Sequence, residues 1–149
     1  MKPDFDDIYM ELAVNLSKKS HCVKRQVGAV LAKDTRIISI GYNGPPAGTH
    51  NCDLEWPETG CARDSRGSCS LALHAEENAI YQLVQSGIQK TKGDNWTIYC
   101  TTAPCRACAK MINGAGITRV VYNVGYPDDY SVEYFKKYGI ELTRIPTEL

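Results

Sequence analysis

Trp96-Thr97-Ile98-Tyr99-Cys100-Thr101, continuing through Thr102-Ala103-Pro104-Cys105-Arg106-Ala107-Cys108 to Arg119-Val120-Val121-Tyr122-Asn123-Val124, is the stretch on which the fold turns. Its two ends are rich in β-branched and aromatic residues and read as strands. Cys105 to Asn113 reads as a helix between them, with Pro104 in its first turn, where a missing N–H costs nothing. Strand, helix, strand is the unit that builds a parallel sheet. Upstream, Ala75, Ala79, Ile80, Leu83 and Val84 recur at helical spacing, and Gly87 suits that helix's C-terminal cap. Val27 to Ala32 and Arg36 to Tyr42, joined by Lys33-Asp34-Thr35, read as an antiparallel hairpin. The chain opens with an amphipathic helix capped by Asp4, its apolar stripe Phe5, Ile8, Leu12, Ala13 and Leu16. A further helix from near Ser131 to Gly139 and a strand from Ile140 to Ile145 complete the pattern. Alternating helices and strands over residues 1–149 imply one α/β domain, a three-layer α/β/α sandwich.

His74-Ala75-Glu76 stands at the start of the upstream helix. Residues two apart do not share a helix face, but side chains lean toward the N-terminus, so His74 and Glu76 can converge on a point just beyond it. Cys105 and Cys108 are three apart and share one face. An imidazole and two thiolates are three zinc ligands, which leave the fourth tetrahedral position open, as catalytic zinc requires; structural zinc is normally closed by four. Both helices aim their positive ends at the site and favour the thiolates. Glu76 sits beside the metal without binding it.

Lys plus Arg and Asp plus Glu number 17 each, so the chain has no net charge. That lacks the basic excess of a nucleic-acid binder and accommodates a small anionic ligand more easily. The N-terminal residues carry no apolar signal core, and no apolar run approaches a membrane span, so a soluble, intracellular, cytoplasmic protein is expected. With that context, seven cysteines point to metal binding rather than disulfides. Cys100 lies in a strand and reads as a small core hydrophobe. Cys22, Cys52, Cys61 and Cys69 flank or occupy the long polar segment before His74, where four thiolates would make a closed structural zinc site; four free thiols, or a site that includes His21 or His50, are the alternatives.

Gln26-Val27-Gly28-Ala29-Val30, Gly41-Tyr42-Asn43-Gly44-Pro45-Pro46-Ala47-Gly48, His74-Ala75-Glu76-Glu77-Asn78-Ala79-Ile80 and Thr101-Thr102-Ala103-Pro104-Cys105, in this order, resemble the zinc-dependent cytidine and deoxycytidylate (dCMP) deaminases, above all the compact bacterial and phage forms of the dCMP enzymes. The resemblance runs from about Ser20 to Val124. It implies a five-stranded mixed sheet and hydrolytic conversion of dCMP to dUMP and ammonia, feeding thymidylate synthesis, in the cytoplasm of a bacterium or a phage-infected cell. His74, Cys105 and Cys108 would hold Zn2+. Glu76 would take a proton from water, pass it to N3 of the pyrimidine as C4 is attacked, and later protonate the departing amine. Asn43 matches the position that hydrogen-bonds the sugar; on residue type alone it is a turn asparagine. Ala75 is small where the ring meets the helix, its backbone placed to touch the base, though it is equally an ordinary helix alanine. The resemblance further implies a homohexamer regulated by dCTP as activator, with Mg2+, and dTTP as inhibitor, the loop Gly44, Pro45, Pro46, Ala47, Gly48 taking part. In some relatives a second zinc is ligated partly from the equivalents of Cys22 and Cys52.

Lys24, Arg25 and Arg106 are candidate phosphate donors, each equally readable as a solvated cation. Tyr126 and Pro127-Asp128-Asp129-Tyr130 form either a loop that closes over substrate or an inert turn. Other zinc deaminases, acting on tRNA adenosine, nucleosides or free bases, share the metal motif; neutral charge weighs against tRNA. A zinc-stabilised binding module without turnover is the remaining alternative, against which Glu76 beside an open metal position weighs.

Overall fold

The computed structural model describes residues 2–23, 25–55, 57, 58 and 71–146. They form α1 (Phe5–Ser17), β1 (Gly28–Lys33), β2 (Arg36–Tyr42), α2 (Cys52–Glu55), α3 (Ala75–Gln85), β3 (Trp96–Thr102), α4 (Arg106–Gly114), β4 (Arg119–Val124), α5 (Asp129–Lys137) and β5 (Glu141–Arg144). The five strands make one sheet in the order β2-β1-β3-β4-β5. β1 runs antiparallel to both its neighbours, whereas β3, β4 and β5 are parallel. This is the mixed five-stranded sheet that the resemblance implies, and the hairpin turns at Asp34, which takes a left-handed conformation (φ 52°) tolerated by aspartate.

Register splits the core into two rows. Val30, Tyr99 and Val121 are paired across β1, β3 and β4 and face α1, where they meet Tyr9, Met10 and Ala13. One residue along, Leu31, Ile98 and Val120 pair in the same way and face the opposite layer, where Ile80 and Leu83 of α3, Ala109 and Ile112 of α4 and Phe135 of α5 cover them. Each of the larger side chains so buried contributes about 1.5–3 kcal/mol. The sheet is therefore the middle of three layers.

The expected stripe of α1 needs correction: Phe5 and Ile8 are 49% and 42% exposed, while Tyr9 and Met10 are buried. Polar anchors roll the helix. The Asp6 carboxylate accepts two hydrogen bonds from the Arg119 guanidinium of β4 (2.7 and 2.8 Å) and one from the Tyr99 hydroxyl of β3 (2.6 Å), and the Tyr9 hydroxyl donates to the Thr35 carbonyl. A hydrophobic pattern cannot weigh such bonds. Val84 is likewise 69% exposed, because the inner face of α3 is made by Ala75, Glu76, Ala79, Ile80 and Leu83. α5 starts two residues before the expected Ser131, because the Asp128 side chain caps it by accepting from Ser131 N–H (2.8 Å). Pro104 lies just outside α4, whose N-cap is Cys105.

Two glycines set layer spacing. A Cβ on Gly28 would lie 2.0 Å from the Ala13 carbonyl oxygen of α1, and one on Gly41 would lie 2.5 Å from the Ala75 oxygen and 2.6 Å from the Ala79 nitrogen of α3.

Arg119 holds the Asp6 carboxyl below its ordinary value of 3.8, so its contribution to stability is complete above that value and is lost as pH falls through the depressed one. Asp6→Asn should cost about 1–3 kcal/mol in urea unfolding at pH 7. Wild type and variant should converge in acid; an equal gap at pH 3 and pH 7 would count against the clamp.

Candidate active site

β3 delivers the chain through Thr102 and Ala103 to Cys105, the N-cap of α4, and His74 is the N-cap of α3. Both caps have extended backbones, which turn their side chains across the helix ends. The Glu77 carboxylate accepts a hydrogen bond from the His74 N–H (2.9 Å) and fixes the start of α3. The structure thereby brings His74, Cys105 and Cys108 together. His74 Nδ1 lies 3.8 Å from Cys105 Sγ and 3.3 Å from Cys108 Sγ, and the three donor atoms are all within 4.8 Å of one another. Zinc bonded at about 2.0–2.1 Å to nitrogen and about 2.3 Å to sulfur has tetrahedral edges of about 3.5–3.8 Å, so the triangle fits the ion. Cys108 is buried while His74 and Cys105 are exposed, which leaves the outward side open.

The charges suit metal capture. Cys105 accepts hydrogen bonds from Cys108 and from His74, which hold its thiol down at about 3, and the thiolate in turn lifts the imidazole to about 9. Cys108 is pushed upward by its hydrogen bond to that thiolate, by burial and by the Glu76 charge. Zinc must displace the protons on His74 and Cys108, so acid opposes loading. Glu76, second residue of α3, is 4% exposed, and burial raises its carboxyl above the ordinary carboxylate range. It stands outside the donor triangle, in hydrogen-bond contact with Cys108.

α3 is registered on β2 by bonds that motif reading passes over. The Ser39 hydroxyl donates to the Ala79 carbonyl (2.6 Å), and the Asn78 amide donates to the carbonyls of Tyr42 (2.8 Å) and Gly44 (3.3 Å). Beside the triangle opens a cavity of about 420 Å³. Ala75, Glu76 and Asn43 line it, and so do Thr102, Ala103 and Arg25, of which the first two belong to the motif ending at Cys105 but receive no role of their own from the sequence. Asn43 is both a turn residue and a wall of the cavity: its Oδ1 accepts from Val27 N–H (2.8 Å) and its Nδ2 donates to the Arg25 carbonyl (2.7 Å).

Other candidates separate. Cys100 is wholly buried in the core, and its thiol touches the Glu76 carboxyl. Cys22 lines the cavity, whereas Cys61, Cys69 and the side chain of Cys52 lie outside the described residues. Among the described residues, His74, Cys105 and Cys108 are the group able to hold a metal ion, and His21 instead meets Asp53 (2.8 Å). Gly44, Pro45, Pro46, Ala47 and Gly48 line a second depression of about 410 Å³ against Tyr81 of α3. Arg106 is held by Asp128 (2.7 Å) over the Tyr130 ring, and Tyr126, 89% exposed, stands out in solvent. Lys24 is not among the described residues.

Residues 3–124 match the family model for the cytidine and deoxycytidylate deaminase zinc-binding region, and the chain belongs to that family. Within it, the chain is 40% identical to deoxycytidylate deaminase of Schizosaccharomyces pombe over 156 aligned positions, 99% of this chain and 46% of the yeast protein. It is 35% identical to deoxycytidylate deaminase of Mycobacterium phage D29, covering 81% of this chain and 95% of the phage protein. The chain thus spans less than half the length of the yeast relative but nearly all of the phage one. The crystal structure of dCMP deaminase from cyanophage S-TIM5 in complex with dCMP and dUMP superposes with a TM-score of 0.77 at 32% identity, over 97% of this chain and 99% of that one. No helix among the described residues is long and apolar enough to cross a membrane.

Proposed function

We propose that the protein hydrolyses dCMP to dUMP and ammonia. One observation carries the reading: a buried carboxyl, Glu76, adjoins a His-Cys-Cys donor triangle whose outward side opens on a cavity of about 420 Å³. Its size is in the range of small-ligand sites. The phage relatives support the same substrate, since the S-TIM5 enzyme binds dCMP and dUMP.

Zinc held by His74 Nδ1, Cys105 Sγ and Cys108 Sγ would supply the Lewis acidity that lets water ionise near neutral pH. The chain's own groups do the rest. Glu76 takes a proton from the attacking water and delivers it to N3 of the ring while the water oxygen bonds to C4. It then passes the second proton of that water to the exocyclic amine, the C4–N bond breaks, and ammonia leaves a C4 carbonyl. Burial raises the affinity of Glu76 for protons, which suits a group that must both accept and return one. Ala75 keeps the wall beside the ring thin. Asn43, which lines the cavity, still has one amide hydrogen and one acceptor position left for the sugar after its bonds to Val27 and Arg25.

We infer in addition a homohexamer in the cytoplasm of a bacterium or a phage-infected cell, activated by dCTP with Mg2+ and inhibited by dTTP. The depression lined by Gly44 to Gly48 supports a place for the effector.

Glu76→Ala should retain zinc and lose about 10²–10⁴ in turnover of dCMP, followed by ammonia release; a variant as active as wild type refutes the assignment. Sigmoidal dCMP kinetics should become hyperbolic with dCTP and Mg2+ and more sigmoidal with dTTP, whereas curves indifferent to both nucleotides would refute the regulation.

A further inference from the structure

Resting on the dCMP reading, we propose that Arg25 is the residue that binds the 5′-phosphate and so separates a nucleotide from a nucleoside. Among the described residues, Arg25 is the one lining the catalytic cavity that carries a permanent positive charge. Together with Cys22 it also lines a shallow neighbouring depression of about 770 Å³, so these two residues stand on the seam between the two spaces. Charge in that depression is lopsided. Lys18, Lys19 and Arg25 face it with a single carboxylate, Asp53, and His21 already engages that carboxylate at 2.8 Å. Lys18 reaches only the neutral amide of Asn15 (3.3 Å), and Arg25 forms no ion pair with any described residue.

The other guanidinium near the motifs is differently placed: Arg106 is neutralised by Asp128 and stacked on Tyr130. Among the described residues, then, nothing takes up the charge or the fork of donors of Arg25, and a guanidinium fork binds phosphate through paired hydrogen bonds. Its backbone is also fixed relative to the cavity, since its carbonyl accepts from Asn43 Nδ2 and the segment is tied again at Val27 N–H. A ring whose C4 meets Glu76 would send its sugar past Asn43 and its phosphate toward Arg25. Lys18 and Lys19 add a favourable potential around that position without touching the cavity.

The test compares the product nucleotide with its dephosphorylated form. Binding of dUMP and of deoxyuridine to zinc-loaded wild type, Arg25→Gln and Arg25→Lys is measured by calorimetry, beside dCMP kinetics and melting temperature. Arg25→Gln should weaken dUMP by about tenfold to a hundredfold, with a matching rise in KM for dCMP, and shift deoxyuridine by less than about threefold. Arg25→Lys should fall between, having charge but no fork. An unchanged dUMP affinity, or equal losses for dUMP and deoxyuridine, overturns the assignment. Failure of wild type to release ammonia from dCMP would sink the underlying reading instead, and the dUMP comparison would still decide whether Arg25 holds a phosphate.

Discussion

How closely α3 lies on β2 governs the chemistry of this protein. With no side chain at Gly41, the backbone of α3 at Ala75 and Ala79 meets the strand where a Cβ would be 2.5–2.6 Å from its atoms. Ser39 and Asn78 then fix the helix along the strand. His74 and Glu76 inherit that position because they are the cap and second residue of α3. The opposing donors inherit theirs from β3, which is paired through β1 with β2 and ends where Cys105 caps α4. Sheet register is thus what closes the distance between imidazole and thiols to 3.3–3.8 Å.

Inside that frame the groups share out their protons unequally. Hydrogen bonds from Cys108 and His74 pull the Cys105 thiol down, that hydrogen bond and burial push the Cys108 thiol up, and Cys105 lifts the His74 imidazole. Two helix N-termini favour negative charge here, and zinc replaces the two protons with one divalent charge. Glu76 is excluded from the donor triangle yet too buried to ionise easily, which are the two properties a proton shuttle needs. The first turn of α3 thus positions both the imidazole of the donor triangle and the proposed shuttle, Glu76.

Much of this is legible in the sequence. The unit from Trp96 to Val124 reads correctly because a buried central strand and a capped helix both leave strong local patterns. His74, Glu76, Cys105 and Cys108 read as a group because short spacings at helix ends constrain where their side chains go. What escapes the reading is tertiary and polar. The roll of α1 depends on Asp6 bonding Arg119, far away in the chain, and the start of α5 on one aspartate cap. Thr102 and Ala103 stand in a recognised motif, but that they line the cavity follows from where the strand ends and not from their residue types. Arg25 and Arg106 look alike in sequence, and only the Asp128 partner tells them apart.

Catalysis by an incompletely coordinated zinc is tested most directly by a crystal structure of the zinc-loaded protein with anomalous data at the zinc edge. The metal should lie about 2.3 Å from both Cys105 and Cys108 sulfurs and about 2.0 Å from His74 Nδ1, with solvent as its fourth neighbour and Glu76 beside that solvent. A fourth protein side chain in the coordination sphere, whether Glu76 or another cysteine, would contradict it.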